Sequence, residues 1–269
     1  IIGACLIFAI VLFTVIIPNN RYNKAIALID EGSVVEAYEA LRALYGYKDS
    51  TDKANSIYVK YKIEKIKAAK AGDYVVFGTY EQDNDTSNGK EDIEWLVLAN
   101  EGNKILVISK YALDCQQYNT SCTDVTWETC SLRKWLNGTF LNAAFSSEEQ
   151  NSIISSTVTA DKNPSYSTSP SNNTTDKVFL LSITEVNKYF RSDGVRKCAP
   201  TNYAEAQGAY TSNSYSTDSK VFCWWWLRSP GNDQTGAAFV YYDGTVYEHG
   251  ISVDRNITAV RPAMWITLE

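Results

Sequence analysis

The apolar positions at the start of the chain form one continuous run. Residues 1–17 are almost entirely apolar, and the polar sequence Pro18-Asn19-Asn20 follows directly. Seventeen helical residues span roughly 26 Å, just under a hydrocarbon core of about 30 Å. We therefore predict a transmembrane helix over residues 1–18, truncated at its start. The core of a signal peptide is the competing interpretation.

The next fifty residues carry apolar positions at the spacing of amphipathic helices. Residues 22–46 show the pattern twice, separated by Glu31-Gly32-Ser33, and a third helical pattern runs from about 52 to 69. We predict a helical hairpin-type stalk over residues 20–70. It resembles a single tetratricopeptide-type unit, and one such unit alone buries little apolar surface.

From residue 74 onward the apolar positions alternate, as on half-buried strands. Strands are predicted at 74–77, 95–98 and 105–108, and a helix is predicted over 132–145. Short strands mixed with short helices are typical of the α+β class. We therefore predict an α+β domain over residues 72–269.

Turn and cap signals subdivide this domain. Residues 239–248 predict a hairpin with a type I′ turn at Asp243-Gly244. Ser146 with Glu149 predicts a capping box, and Ser182 predicts a second one with Glu185. The Ser/Asn/Thr/Pro-rich residues 163–175 predict a loop.

The least common composition lies near the C-terminus. Residues 222–231 have the sequence FCWWWLRSPG, and residues 260–265 have VRPAMW. On a strand, successive side chains point to opposite faces, so Trp224 and Trp226 should share a buried face with Trp265 while Trp225 takes the other face. Arg228 and Arg261 should be bound by carboxylates or carbonyls and keep the C-terminal loops in place.

These two blocks resemble those of an uncharacterised bacterial surface domain family that carries WWLRSPG and VRPAxW. The resemblance includes residues 72–80, 93–98 and 132–137 and covers about residues 72–269. It implies a C-type-lectin-like fold, related to that of sulfatase-modifying factors. Ala259 departs from the family pattern, which usually has glycine there.

Charge and cysteine content restrict the possible partners. The net charge of −6 argues against nucleic acid, because phosphate binding requires a basic surface. Five of the six cysteines lie in the predicted α+β domain, without a CxxC motif or a Cys–His cluster that would suggest zinc. One or two disulfides with a leftover thiol, or buried free thiols, both remain open.

Catalytic signals are weak. His249 is the single histidine of the chain, and no nucleophile-elbow motif accompanies it. The cysteine pair that the formylglycine-generating relatives carry in their C-terminal part has no counterpart after residues 228–231, since Cys223 is the last cysteine. We predict that the protein is not an enzyme and needs no cofactor.

One loop has a partial calcium-binding spacing. Asp83, Asp85, Ser87 and Glu94 fall at positions one, three, five and twelve of an EF-hand-like loop, but Asn88 stands where that loop needs glycine. The flanking residues also favour strands. We predict a solvated hairpin loop and no metal site.

Tyrosines and small polar residues favour a binding surface in the C-terminal part, because tyrosine supplies a large contact area at low entropic cost. Residues 203–219 are also rich in Tyr, Ser, Asn and Thr, and a plain polar loop surface is the alternative there. The predicted ligand-binding residues are Trp225, Asn232, Asp233, Gln234, Tyr241, Tyr242, Tyr247 and His249.

The leading functional prediction is a membrane-anchored, non-catalytic recognition module. It would be a single-pass protein of the cell membrane with its C-terminal domain extracellular. Its expected partners are an extracellular protein or glycan, and the membrane through the N-terminal helix. An enzyme of the sulfatase-modifying-factor type and a structural cell-envelope protein are the alternatives.

Overall fold

A computed structural model describes residues 12–212 and 221–269, with the side chains described from residue 14. The chain divides into two compact units, Ile1–Ala68 and Ala69–Glu269.

The first unit is helical. A π-helical turn, Leu12–Ile16, leads into four helices: α1 (Ile17–Asp30), α2 (Val34–Arg42), α3 (Ser50–Ser56) and α4 (Tyr58–Lys67). They pack around a small apolar core of Ala25, Ala37, Leu41, Ala54 and Ile57. The predicted third helix is divided at Ile57, where φ −111° and ψ 4° depart from helical values.

The predicted membrane anchor needs correction. Among the helices that the structure describes, none combines the length and the apolar character needed to cross a bilayer. Helix α1 carries Asn19, Asn20, Arg21 and Lys24 within its first two turns, and it buries Ala25 in the core of the helical unit. The prediction of a single-pass membrane protein is contradicted by this finding. Residues 1–11, which hold most of the predicted anchor, lie outside the described residues.

The second unit has the predicted α+β class, with mainly antiparallel sheets. Its strands are β1 (Tyr74–Tyr80), β2 (Glu91–Asn100), β3 (Lys104–Ser109), β4 (Asp114–Cys115), β5 (Ser156–Val158), β6 (Thr174–Asp176), β7 (Val178–Phe179), β8 (Thr211–Ser212), β9 (Phe222–Cys223), β10 (Trp225–Pro230), β11 (Gly236–Val240), β12 (Val246–Ser252), β13 (Ala259–Val260) and β14 (Ala263–Thr267). Its helices are α5 (Ser131–Trp135), α6 (Leu141–Ala144), α7 (Ser147–Ser152), α8 (Ile183–Tyr189), α9 (Asp193–Arg196) and α10 (Asn202–Ala206). A π-helical turn, Leu136–Phe140, joins α5 to α6.

Two five-stranded sheets organise this unit. The first has the order β1-β2-β3-β14-β7 and is antiparallel throughout. The second has the order β12-β11-β10-β13-β4 and contains one parallel pair, β10 with β13. The three strands and the helix predicted from periodicity are confirmed within β1, β2, β3 and the α5–α6 segment.

Strand β10 is the centre of the second sheet, and all six of its residues are buried. The predicted alternation fails here. Trp224 lies between β9 and β10, where its carbonyl accepts a hydrogen bond from the Ala259 amide (2.8 Å), and its side chain is half-buried. Trp225 and Trp226 are both fully buried, because a central strand has packed layers on both faces. Trp265 lies on β14 of the other sheet and is half-buried.

Buried Arg228 is bound by carbonyls and carboxylates, as predicted, but these acceptors lie outside the C-terminal loops. Its guanidinium donates to the carbonyls of Leu180 (2.8 Å) and Thr159 (3.1 and 3.2 Å). It also pairs with the carboxylates of Asp161 (3.3 Å) and Glu185. One side chain thus ties β10 to the segment after β5 and to the start of α8.

Local signals gave mixed results. Both capping boxes are confirmed, at Ser146 and Ser182. The hairpin β11–β12 forms as predicted, but its turn is not type I′. The Gly244 amide donates to the Tyr241 carbonyl (2.9 Å), and only Gly244 has a positive φ (+91°) in that turn. This is a three-residue loop in which a type I turn is followed by a left-handed glycine.

Candidate recognition surface

A row of aromatic rings crosses the second sheet at its β12 edge. Neighbouring ring centroids are 4.7 to 6.1 Å apart along the whole row. These are the separations of interacting aromatic pairs. We call this row the aromatic strip; it consists, in spatial order, of Tyr210, Trp224, Tyr241, Tyr247, His249 and Tyr166.

Strand geometry positions the middle of the strip. Tyr247 and His249 are two residues apart on β12, so they share one face. Phe239 lies directly opposite Tyr247 on β11, with the two rings 5.2 Å apart, and is itself buried. Phe239 also contacts Trp224 and Tyr241, at 5.1 and 5.4 Å. It therefore forms the floor on which the strip rests.

The strip combines exposed ring surface with polar groups. Tyr210 and Tyr247 are 45% and 43% exposed. The indole Nε1 of Trp224 is buried, yet it has no hydrogen-bond partner among the residues that the structure describes. Partial burial raises the pKa of Tyr241, and the electrostatic effect of Tyr247 adds to this rise. The Tyr241 hydroxyl therefore stays protonated.

A polar loop closes the strip at its His249 end. The side-chain amide of Asn163 donates to the main-chain carbonyls of Pro230 (2.8 Å) and Glu248 (2.7 Å). The Thr168 hydroxyl donates to the Asn232 carbonyl (2.7 Å). These bonds hold the loop that carries Tyr166 against the β12 edge.

The turn after β10 lies beside the same end. The amide of Asn232 donates to the His249 carbonyl (2.8 Å), and Gln234 donates to the Ser169 carbonyl (3.3 Å). The Asp233 carboxylate accepts from the Thr235 hydroxyl and amide (2.7 and 2.9 Å). These bonds to Thr235 are the main cause of the lowered pKa of Asp233, and nearby His249 contributes.

The structure thus gathers seven of the eight predicted ligand-binding residues around one edge. Tyr241, Tyr247 and His249 belong to the strip, and Tyr242 packs against Tyr241 at 5.1 Å. The other three are the turn residues Asn232, Asp233 and Gln234.

Trp225 is the exception, and its assignment as a ligand contact is corrected. Its ring is fully buried, its Nε1 donates to the Arg196 carbonyl (3.2 Å), and the Arg261 guanidinium lies 5.0 Å from the ring. Arg261 also donates to the Ser109 carbonyl (3.0 Å), which confirms the structural role predicted for it.

Trp224 and Tyr166 were not predicted from the sequence as members of this surface, and Tyr210 was included only within the tyrosine-rich range 203–219. Trp224 was assigned to the core through strand alternation, which the interruption between β9 and β10 breaks. Tyr166 and Tyr210 come from segments distant in sequence, with only their tyrosine and serine-rich surroundings as a signal.

The cysteines of this unit are free thiols within the described residues. Cys122 is exposed, whereas Cys115, Cys130, Cys198 and Cys223 are buried. Burial raises the pKa of Cys115 and of Cys130 to about 12, so neither forms a thiolate near neutral pH.

A second feature lies at the opposite sheet, in the loop between β1 and β2. The EF-hand-like set of the sequence does not assemble, because Glu94 pairs with Lys110 (2.7 Å) on the β2 surface. Instead, carboxylate oxygens of Glu81, Asp83 and Glu91 lie within 4.8 Å of one another.

Comparison with known proteins gives one match. The family model described as "Domain of unknown function (DUF6273)" matches residues 102–268. No curated protein and no solved structure matches the chain.

Proposed function

The chain belongs to the DUF6273 family, and from its surface we propose that the second unit is a non-catalytic recognition module. Its ligand, a protein or a glycan, lies along the aromatic strip and contacts the turn at Asn232 and Asp233.

The strip itself is the observation that carries this proposal. Soluble proteins seldom leave connected aromatic surface uncovered unless it binds something. Tyrosine and tryptophan dominate binding energetics because each provides large, rigid contact area together with a polar group. Here two tyrosines of the strip, Tyr210 and Tyr247, are more than two-fifths exposed.

The non-catalytic assignment is supported by the reactive groups. His249 is exposed at the β12 edge, where its neighbours are Tyr247 and Tyr166. Cys115 and Cys130 are buried with raised pKa values, so neither of these two thiols supplies a thiolate near neutral pH.

The proposal includes a C-type-lectin-like arrangement of the second unit. Its support is the WWLRSPG and VRPAxW resemblance together with short strands, short helices and long loops. A crystal structure of the chain tests this arrangement. A strand topology in the second unit that differs from that of C-type-lectin-like domains would refute it.

Glycan and protein arrays probed with the full chain provide the first test. We expect one class of hits, and serine at Tyr241, Tyr242 and Tyr247 together should abolish binding to those hits. Central tyrosines of an interface each contribute about 1–2 kcal/mol or more, so the triple change should weaken binding at least a hundredfold.

A matched control separates binding from folding. Tyr45→Ser changes a tyrosine that is 96% exposed in the helical unit and should leave binding unchanged. Thermal melting should show that the triple variant still unfolds cooperatively. If the triple variant binds its hits as tightly as the wild type does, the proposed surface is wrong.

A further inference from the structure

The open end of the β1–β2 hairpin holds three carboxylates at close range. Glu81 follows the last residue of β1, Glu91 is the first residue of β2, and Tyr80 pairs with Glu91 in the register. Asp83 lies in the connecting loop. The hairpin register therefore brings these side chains together from positions that are ten residues apart at the extremes.

Glu81 is the decisive residue of this cluster. Only 8% of its surface is exposed, and its Oε1 is buried without a hydrogen-bond partner among the residues that the structure describes. Leaving a buried carboxylate oxygen unpaired is costly, and such an atom in a folded protein indicates a missing partner such as an ion.

No positive side chain neutralises the cluster. Among the described residues, no ion pair joins Glu81, Asp83 or Glu91 to a lysine or arginine. Glu91 accepts only main-chain amides there, from Gln82 (2.6 Å) and Asp83 (3.4 Å).

The cluster also has access from solvent. A cleft beside it is lined by Gln82, Asp83, Tyr111, Thr201 and Asn202. The Tyr203 amide donates to the Gln82 carbonyl (3.0 Å) and thereby fixes this wall of the cleft to the start of α10.

We propose that Glu81, Asp83 and Glu91 form a calcium-binding site at the open end of the β1–β2 hairpin. Calcium prefers oxygen ligands at about 2.3–2.6 Å, so two ligands on opposite sides of one ion lie roughly 4.8 Å apart. The three carboxylate oxygens already fall within that span. Water from the cleft completes the coordination.

Calcium is favoured over magnesium by the geometry. Magnesium requires octahedral ligands at about 2.0–2.1 Å and gives up its water reluctantly, whereas calcium tolerates irregular carboxylate sets. The ligands come from a loop and two strand ends, which is an irregular set.

The test titrates calcium chloride into the EDTA-treated full chain by isothermal calorimetry, with magnesium chloride in parallel. We expect one saturable calcium site with a Kd of about 10⁻³ M or tighter, and weaker magnesium binding. Absence of saturable calcium binding at ten times that concentration, or equal affinity for magnesium, would overturn the proposal.

Variants identify the ligands. Glu81→Gln keeps the side-chain shape and should weaken calcium binding at least tenfold. Asp92→Asn is the matched control. Asp92 is exposed and follows Glu91 on β2, so its side chain points to the opposite face of the strand. Removing its charge should change the calcium affinity less than threefold. Wild-type affinity in Glu81→Gln, or an equal loss in Asp92→Asn, would refute the assignment.

Melting temperatures keep the test decisive. In EDTA, Glu81→Gln should melt at or above the wild-type temperature, because a neutral amide replaces a carboxylate that burial disfavours. At one fixed concentration, calcium should raise the melting temperatures of the wild type and of Asp92→Asn more than that of Glu81→Gln. If Glu81→Gln fails to fold, Glu91→Gln replaces it in the same titration, with the same expected loss.

Discussion

The most stringent stability prediction concerns Arg228→Met. Methionine retains the apolar stem of the side chain but removes every donor of the guanidinium. The variant leaves the carbonyls of Thr159 and Leu180 and the carboxylates of Asp161 and Glu185 without their shared partner.

The magnitude follows from the burial of both sides. Removing one member of a fully buried ion pair costs about 3–5 kcal/mol, because an unpaired charge remains in the interior. The Arg228 side chain is 2% exposed, whereas those of Asp161 and Glu185 are 22% and 27% exposed. Water can partly rehydrate these two carboxylates, so we expect the lower end of the range, about 3 kcal/mol.

Urea and thermal unfolding measure the effect. For a unit of this size, 1 kcal/mol corresponds to about 2–4 °C, so the melting temperature should fall by roughly 6–12 °C. The melting temperature of Arg228→Lys should lie between those of the wild type and Arg228→Met, because lysine keeps the charge but cannot reach several acceptors at once.

Lys104→Met is the matched control. Lys104 pairs with Glu101 at 3.2 Å in an exposed i,i+3 arrangement, and exposed pairs contribute about 0–1 kcal/mol. If Arg228→Met destabilises the protein by no more than this control, at an unchanged m value, buried Arg228 does not organise the unit.

Three further predictions concern other parts of the second unit. Gly244→Ala should destabilise the protein more than Gly102→Ala does. Both glycines have a positive φ (+91° and +89°), but of the two only Gly244 would place a Cβ against backbone, 1.8 Å from a carbonyl oxygen of α9. Equal unfolding free energies of the two variants would contradict this packing. When the native protein is titrated with a thiol reagent, Cys122→Ser should show one fast-reacting thiol fewer than the wild type, and Cys130→Ser should show the same number as the wild type. The reason is that Cys122 is exposed and Cys130 is buried. Burial raises the pKa of the Asp114 carboxyl, so its contribution to stability is present below the unfolded-state pKa and is lost as the pH rises through the folded-state pKa. The difference in unfolding free energy between the wild type and Asp114→Asn should therefore shrink from pH 4 to pH 7. A difference that grows over this pH range would contradict the prediction.

Local sequence signals predicted what depends on neighbouring residues. The capping boxes at Ser146 and Ser182 formed because each needs a partner only three residues away. The β11–β12 hairpin formed because alternation and an Asp-Gly turn lie within ten residues. Its turn type was missed, since the extra loop residue and the α9 carbonyl against Gly244 set the backbone there.

The candidate surface was only partly predictable. Composition selected Tyr241, Tyr242 and Tyr247 as binding residues without reference to any other segment. Strand alternation assigned Trp224 and Trp225 to the wrong environments, because it assumed an unbroken strand and one solvent-facing side. Strand β10 is interrupted at Trp224 and is covered on both faces.

By itself, the sequence determined the α+β class, the helical first unit and the concentration of tyrosines near the C-terminus, because periodicity and composition are properties of adjacent residues. Tertiary structure alone decided that Tyr166 and Tyr210 join one aromatic strip, and that Arg228 binds acceptors from three segments. It also placed Glu81, Asp83 and Glu91 around one point, with the buried Glu81 oxygen unpaired. Such arrangements depend on strand register and on contacts between distant segments, whose free energies arise only when the chain has folded.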